Sequence, residues 1–258
     1  MLYNFNNEAT WLDERKNKMK VINYENLRSY CYSNDKLIEG EIKGIALEFY
    51  GLGSQAMHGE DPMQGYLYAR SGVLLIYPYS NPWGWMNSEE VALTDEILDV
   101  IFEKYNLPSN LPIISCGGSM GGLCALTYCA YAKRAVKACV ANCPVCDFPF
   151  HYTEREDLPR TIYSALHHEG LELDEALRSR SPLHLTLDNK MPRINYYIFH
   201  CDTDHAVNIA AHSDKLVKAM NENGYSVKYE IVHNRSHCNL PLDAKEKYEQ
   251  CVINEILN

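Results

Sequence analysis

Apolar and polar residues follow two different periods along this chain. Short continuous apolar runs are typical of strands buried on both faces, whereas apolar residues spaced three and four positions apart indicate helices. The predicted strands are IKGIALEFYG (42–51), GVLLIYPY (72–79), LPIISCG (111–117), AVKACVANC (135–143), INYYIFHCD (194–202) and YSVKYEIVH (225–233). Strand residues in an edge hairpin are also predicted in YENLRSYCYS (24–33).

Helical patterns fill the segments between these strands. SEEVALTDEILDVIFEKYN (88–106) begins with a serine suited to cap a helix, Ser88, and has apolar residues at helical spacing. Further helices are predicted at 120–133, 208–224 and 241–257. Strands that alternate with helices predict crossover connections and a mostly parallel sheet covered on both faces. Residues 1–258 are therefore predicted to form one α/β domain, with its site in the loops that follow the strands.

Charge and hydropathy restrict the partners of such a domain. The net charge is -10 and no basic stripe is present, which argues against nucleic acid and against an anionic membrane surface. The first residues lack an apolar core of leader-peptide length, and no run approaches about 18 apolar residues. The sequence therefore predicts a cytoplasmic protein and gives no indication of its oligomeric state.

Ten cysteines are present, and most are expected to be reduced and buried. CPVC (143–146) has the spacing of a thiol redox motif, but such motifs usually open a helix. Here the pair follows a strand and runs into DFPF, which is not expected to start a helix cleanly. We interpret Cys143 and Cys146 as structural and keep a redox role as an alternative. A zinc site needs further ligands at suitable spacing, so no metal is expected.

Four glycines surround one serine in CGGSMGG (116–122). Gly117, Ser119 and Gly121 match the pattern G-x-S-x-G between a strand and a helix, where a sharp turn projects the serine hydroxyl above the sheet. The amides at the start of the next helix favour negative charge near that serine. A Walker phosphate loop requires Gly-Lys-Ser/Thr, which is absent. The sequence therefore predicts Ser119 as a nucleophile.

A serine nucleophile needs a base and a carboxylate that orients the base. The strand ending at FHCD is followed by two candidate acids, Asp202 and Asp204, and the last strand is followed by two candidate bases, His233 and His237. The expected chain order is serine, acid, histidine. We favour Asp204 over Asp202, and we favour His237 because His233 is expected to end the strand.

Three segments, GGSMGG, FHCDTDHAV and RSHCNL, resemble the α/β-hydrolases, in particular the prolyl-oligopeptidase-like and acetyl-esterase-like branches. The resemblance covers about residues 40–258 and implies the α/β-hydrolase fold, with Ser119, Asp204 and His237 as a catalytic triad and no cofactor. It also implies an oxyanion hole formed by the backbone amides of Met120 and Leu52. Leu52 lies in YGLGS, where the family often has His-Gly-x-Gly.

Two departures from the family pattern lie beside the predicted triad. Cys201 and Cys238 occupy positions where glycine is usual. They are expected either to pack in the interior or to make activity sensitive to oxidation and thiol reagents.

The resemblance also implies a helical cap, which we predict at about residues 147–188. Aromatic residues in the cap and in YPYSNPWGWMN (77–87) are predicted to line a substrate pocket, although such clusters also occur in cores. The predicted substrate-binding residues are Tyr50, Trp83, Trp85, Phe148 and Phe150. Because no full-length propeller precedes the hydrolase portion, a small-ester hydrolase is favoured over a peptidase for short peptides. A non-catalytic binding protein and a CxxC redox protein remain alternatives.

Overall fold

The computed structural model describes residues 22–54 and 57–258, and within them the chain folds around a seven-stranded sheet. The N-terminal segment, for which no leader is predicted, lies outside the described residues. The strands are β1 (Cys31–Ser33), β2 (Gly44–Phe49), β3 (Val73–Pro78), β4 (Ile113–Gly118), β5 (Ala138–Asn142), β6 (Asn195–Cys201) and β7 (Ser226–Val232). Their order is β1-β3-β2-β4-β5-β6-β7, and only β1 runs antiparallel to its neighbour.

Helices cover both faces of this sheet. They are α1 (Met63–Arg70), α2 (Ser88–Tyr105), α3 (Met120–Tyr131), α4 (Phe148–Glu154), α5 (Leu158–Leu166), α6 (Leu173–Ser179), α7 (Pro182–Leu187), α8 (Ser213–Glu222) and α9 (Leu242–Leu257). None of these described helices is long and apolar enough to cross a membrane. The observed architecture is the α/β-hydrolase fold that the resemblance implies.

The sheet separates two hydrophobic cores. Ile45 and Leu47 of β2 pack in the core that contains residues of α2, α3 and α8, whereas Ala46 between them packs in the core formed with α1 and α9. This alternation follows from strand geometry, because successive side chains point to opposite faces. Both faces are covered, so the central strand β2 is apolar apart from Glu48, which is itself buried.

Strand register aligns the carboxyl ends at which the site is expected. Phe49 of β2 pairs with Gly117 of β4, which in turn pairs with Ala141 of β5. Ala141 pairs with Ile198 of β6. Since these strands are parallel, the loops that follow them emerge at one edge of the sheet.

Three local predictions are wrong in detail. In the segment 24–33 only Cys31–Ser33 is a strand, and it pairs at the edge with β3 rather than forming a hairpin. The cap of α2 is Asn87, whose side chain accepts the Glu90 amide at 3.0 Å, and Ser88 is the first helical residue. DFPF does start a helix: Asp147 caps α4 and accepts the Phe150 amide at 3.2 Å. Pro149 is tolerated in the first turn because its missing N–H is not needed there.

Four helices, α4 to α7, occupy the chain between β5 and β6, where the cap is predicted. The aromatic loop after β3 is bonded to them, because Trp85 Nε1 donates to Thr161 Oγ1 at 3.3 Å and Asn87 Nδ2 donates to the Ala165 carbonyl at 3.0 Å. A buried ion pair joins Arg180 to Glu169 at 2.8 Å. We propose that these helices form the cap of a single domain.

Removing the hydroxyl of Tyr248 is expected to destabilise the fold. This buried oxygen on α9 accepts the Gly117 amide and donates to the Val140 carbonyl, both at 3.1 Å. Tyr248→Phe leaves two buried backbone groups without that partner, so the free energy of unfolding should fall by about 1–3 kcal/mol, measured by urea denaturation. Tyr66→Phe, at an exposed tyrosine of α1, should change it by less than about 0.5 kcal/mol. Equal losses in the two variants would contradict this role of the hydroxyl.

Candidate active site

Ser119 lies between the end of β4 and the start of α3 in a strained turn. Its φ is 61° and its ψ is -126°, a conformation that costs a non-glycine residue about 1–3 kcal/mol. The turn is compact, because a Cβ on Gly117 would lie 2.2 Å from the Gly121 carbonyl oxygen, and a Cβ on Gly121 would lie 2.1 Å from the Phe49 carbonyl oxygen. Side chains at those two positions are therefore sterically forbidden, which explains the glycines in the motif.

Three predicted residues form one continuous chain of hydrogen bonds. His237, in the loop after β7, has Nε2 at 2.8 Å from Ser119 Oγ and Nδ1 at 2.6 Å from Asp204 Oδ2. A carboxylate only accepts, so Nδ1 carries a proton, and in the neutral imidazole Nε2 accepts the serine O–H. Asp204 is itself oriented, since its Oδ1 accepts the amides of Ala206 and Val207 at 2.8 and 2.9 Å.

The two ionisable members of this chain have perturbed pKa values. Burial raises the pKa of Asp204, but hydrogen bonds from His200 and His237 and the Val207 amide outweigh burial and hold it well below its usual range. Burial alone would lower the pKa of His237. Its hydrogen bonds to Asp204 and Cys143 and the charge of Asp204 outweigh burial, and together these effects raise the pKa of His237 to about 9. The carboxylate therefore stays ionised and stabilises a proton on the imidazole.

The alternative acid and base form a separate pair. His233 Nδ1 lies 2.8 Å from Asp202 Oδ2, and the His233 side chain is exposed. The Asp202 carboxylate also accepts the Asn234 amide at 2.7 Å. These contacts occupy Asp202 and His233 with each other in a surface turn.

Two backbone amides lie beside the serine without an internal acceptor. Within residues 22–54 and 57–258, neither the Leu52 amide nor the Met120 amide donates a hydrogen bond. The loop that carries Leu52 approaches Ser119 closely, because a Cβ on Gly51 would lie 3.9 Å from the Ser119 Cβ. Met120 is the first residue of α3, whose N-terminal amides favour negative charge.

A cavity of about 510 Å³ opens beside Ser119 and His237. Of the predicted substrate-binding residues, Tyr50 and Trp85 line it, as does Leu52. The other three do not: Trp83 is 38% exposed, Phe148 is fully buried and packs on the Trp85 ring at 5.2 Å, and Phe150 is 40% exposed. Helix α4 turns Phe148 and Phe150 away from the cavity.

The sequence does not identify several residues of the cavity wall, chiefly His58, His151 and Arg155. His151 Nδ1 lies 2.6 Å from Glu154 Oε2, which also contacts His212 Nε2 at 2.9 Å. Burial raises the pKa of Glu154, but these two hydrogen bonds outweigh it and lower the pKa. His151 and Glu154 are three positions apart and therefore share one face of α4. The sequence indicates this pairing only if a helix is predicted to start at DFPF.

The CPVC thiols have no exposure suited to redox exchange. Cys143 and Cys146 are both fully buried. A side-chain hydrogen bond that Cys143 donates to Cys238, together with burial, raises the pKa of Cys143, and burial raises the pKa of Cys146. Redox-active thiols need thiolate character and access, so this environment argues against thiol–disulfide exchange by the CPVC pair.

Comparisons with known proteins agree with this fold. The family model of the prolyl oligopeptidase family matches residues 100–252, which is more than half of the chain. No curated protein sequence is significantly similar to the chain.

Similar solved structures include an S-formylglutathione hydrolase from Agrobacterium tumefaciens, with a TM-score of 0.68, 14% identity and coverage of 88% of each chain. A puromycin-hydrolysing peptidase from Mycobacterium tuberculosis has a TM-score of 0.65 and 14% identity, covering 84% of this chain and 34% of the peptidase. Esterase PE8 has a TM-score of 0.57 and 16% identity, covering 84% of this chain and 94% of the esterase. The chain thus spans about a third of the length of the peptidase.

The fold and the family match place this protein among the α/β-hydrolases of the serine hydrolase superfamily. Within that superfamily, the chain belongs to the prolyl oligopeptidase family.

Gly121→Ala is expected to disrupt the serine turn. The added methyl group would meet backbone atoms of Phe49 and Tyr50, which cannot move as a side chain can. We expect a loss of at least about 3 kcal/mol in the free energy of unfolding, or failure to fold, measured by soluble yield and thermal melting. Gly59→Ala is the matched control, because a Cβ there meets nothing within 4 Å. A stable Gly121→Ala protein would contradict this account of the turn.

Proposed function

We propose that this protein hydrolyses small carboxylic esters through a covalent acyl-enzyme formed on Ser119. The observation that carries the proposal is the unbroken hydrogen-bond chain from Asp204 through His237 to Ser119. A hydroxyl bonded to an imidazole that is held by a carboxylate can lose its proton as it attacks a carbonyl carbon. No other arrangement in the described residues accounts for the strained turn at Ser119.

His237 acts first as the base and then as the acid. Its Nε2 takes the Ser119 proton during attack and returns it to the leaving alcohol as the carbon–oxygen bond breaks. Water then enters and attacks the acyl carbon as it loses a proton to the same nitrogen, and that proton passes to the Ser119 oxygen as the ester bond breaks and the acid leaves. Asp204 keeps the imidazole in the required tautomer and stabilises the positive charge that forms on it.

The amides of Leu52 and Met120 are proposed to bind the oxyanion. Both lie beside Ser119 without an internal acceptor among the described residues. Because such donors are aimed before the reaction starts, each typically contributes about 10²–10³ in rate. Leucine at position 52 leaves the backbone amide as the only donor that this residue offers.

The size and lining of the cavity favour a substrate with a small acyl or alcohol group. Its volume of about 510 Å³ lies in the range of small-molecule sites, and its wall contains Tyr50, Leu52 and Trp85. Two similar structures whose length this chain nearly spans are an S-formylglutathione hydrolase and an esterase. The prolyl oligopeptidase family match favours cleavage of short peptides as the second candidate. A binding protein without catalysis fits poorly, because all three triad side chains are present and joined.

Ser119→Ala is expected to lower kcat for p-nitrophenyl acetate by about 10⁶-fold, since the nucleophile is removed. Spectrophotometric release of p-nitrophenol measures the rate, and circular dichroism checks that the variant is folded. Ser236→Ala, an exposed serine one residue before His237, is the matched control and should retain activity. Wild-type turnover that persists in Ser119→Ala would rule out this nucleophile.

The same assay separates the two substrate classes. If the protein is an ester hydrolase, p-nitrophenyl acetate and butyrate should be cleaved with a higher kcat/KM than dipeptidyl p-nitroanilides. The opposite order would favour the peptidase alternative while leaving the role of Ser119 intact.

The pH profile tests the pairing of His237 with Asp204. Only the neutral imidazole accepts a proton, so kcat/KM should rise with pH up to about 9, where His237 titrates in the free enzyme. Asp204→Asn removes the charge that raises this pKa, so the midpoint should move to lower pH and kcat should fall by about 10⁴-fold. Asp202→Asn is the matched control, because Asp202 contacts His233 instead. An identical profile in the wild type and Asp204→Asn would contradict the pairing.

A further inference from the structure

Two thiols lie against the imidazole of His237. Cys143 follows β5, and Cys238 directly follows His237 in the loop after β7. The Sγ atoms of both cysteines and Nε2 of His237 all lie within 4.8 Å of one another. Cys238 Sγ is 3.7 Å from that nitrogen. The catalytic base therefore shares a small volume with two soft ligand atoms.

Both cysteines adopt backbone conformations that side chains rarely occupy. The φ angle is 46° at Cys143 and 55° at Cys238, in the left-handed region that favours glycine. Such strain persists where the surroundings impose it, and it concentrates at functional sites. In this chain the two cysteines in this conformation are those whose sulfurs lie beside His237.

Backbone amides support one of these sulfurs. Cys143 Sγ accepts the amides of Cys201 and Cys238, both at 3.3 Å. Hydrogen bonds of this kind orient metal-bound ligands and tune a metal site from outside its coordination shell. Cys238 is half-buried and lines both the substrate cavity and a neighbouring cavity of about 410 Å³.

The distance between Cys238 Sγ and His237 Nε2 is close to the ligand spacing of a tetrahedral zinc site, and the other two pairs lie within 4.8 Å. Zn–S bonds of about 2.3 Å and Zn–N bonds of about 2.0–2.1 Å separate a sulfur from a nitrogen by about 3.5–3.6 Å, and two sulfurs by about 3.8 Å. The observed 3.7 Å between Cys238 Sγ and His237 Nε2 needs only a slight contraction. Two thiolates and one imidazole form a ligand set that zinc commonly uses, with a fourth position left for an oxygen.

We propose that Cys143, His237 and Cys238 form an inhibitory binding site for a thiophilic divalent cation such as Zn²⁺. The metal replaces the two thiol protons and binds the Nε2 lone pair, and water or the Ser119 oxygen completes its coordination. Nδ1 of His237 already donates to Asp204, so Nε2 has the one lone pair that the base step uses. Metal binding and proton abstraction therefore exclude each other. The inhibition rests on the proposed function, whereas the binding does not.

The first experiment measures inhibition. Zn²⁺ titrated into the wild-type protein, with a phosphine reductant present to prevent disulfides, should inhibit p-nitrophenyl acetate hydrolysis, and EDTA should restore the rate. Inhibition is expressed relative to each variant's own metal-free rate. In Cys143→Ala and Cys238→Gly, the Zn²⁺ concentration that halves this rate should be at least about tenfold higher than in the wild type. Glycine suits the φ of 55° at position 238, so this variant is expected to fold. Cys251→Ala, at a half-buried cysteine on α9, is the control and should behave as the wild type.

The second experiment measures binding without catalysis. Co²⁺ added to Ser119→Ala should produce a thiolate-to-cobalt charge-transfer band in the near ultraviolet, and Zn²⁺ should displace it. Cys238→Gly should lose the band. This variant retains a neighbouring candidate metal site with one thiol, formed by Cys143, His200 and Asp204, so loss of the band assigns it to the site that contains Cys238. The third ligand-like group, His151, Glu154 and His212, has no thiol and cannot give this band.

Two results would overturn the proposal. One is the absence of a charge-transfer band in both the wild type and Ser119→Ala. The other is a band or a zinc inhibition that is unchanged in Cys143→Ala and Cys238→Gly. An inactive wild-type protein that still shows the band would refute the proposed function and leave the metal site standing.

Discussion

The contact between the serine turn and the end of β2 is the constraint on which the rest of the site depends. Gly121 lies so close to the Phe49 carbonyl that no side chain fits, and this holds Ser119 at a φ of 61°. The strain of about 1–3 kcal/mol persists because buried strands on both sides leave the turn no alternative. The same contact brings the loop that follows β2 against the start of α3. One packing interaction thus positions the proposed nucleophile and the two amides proposed as oxyanion donors.

Parallel register then assembles residues that are distant in the chain. Because β4, β5, β6 and β7 end at one edge, the loops carrying Ser119, Asp204 and His237 converge there. The charges reinforce this arrangement: the ionised Asp204 holds a proton on Nδ1 of His237 and thereby leaves Nε2 as the acceptor. The same convergence places Cys143 and Cys238 against that nitrogen. Any group that binds the Nε2 lone pair of His237 would therefore compete with the proposed base step.

The helices between β5 and β6 complete the cavity and couple it to the acid loop. Glu154 on α4 contacts His151 in the cavity wall, and it also contacts His212 and the Asn208 amide beyond Asp204. Glu154 therefore joins the cavity wall to the segment that follows Asp204.

The sequence by itself determined the strand–helix alternation, the serine turn and the order of Ser119, Asp204 and His237, because these depend on local periodicity and on glycines at fixed spacing. It also narrowed the acid and base to two candidates each. Only the tertiary structure decided which aromatic residues reach the cavity: Trp85 does, whereas Phe148 packs behind it. It likewise decided that Cys143, which follows β5, lies beside His237. Those outcomes depend on contacts between segments far apart in the chain, which no local pattern records.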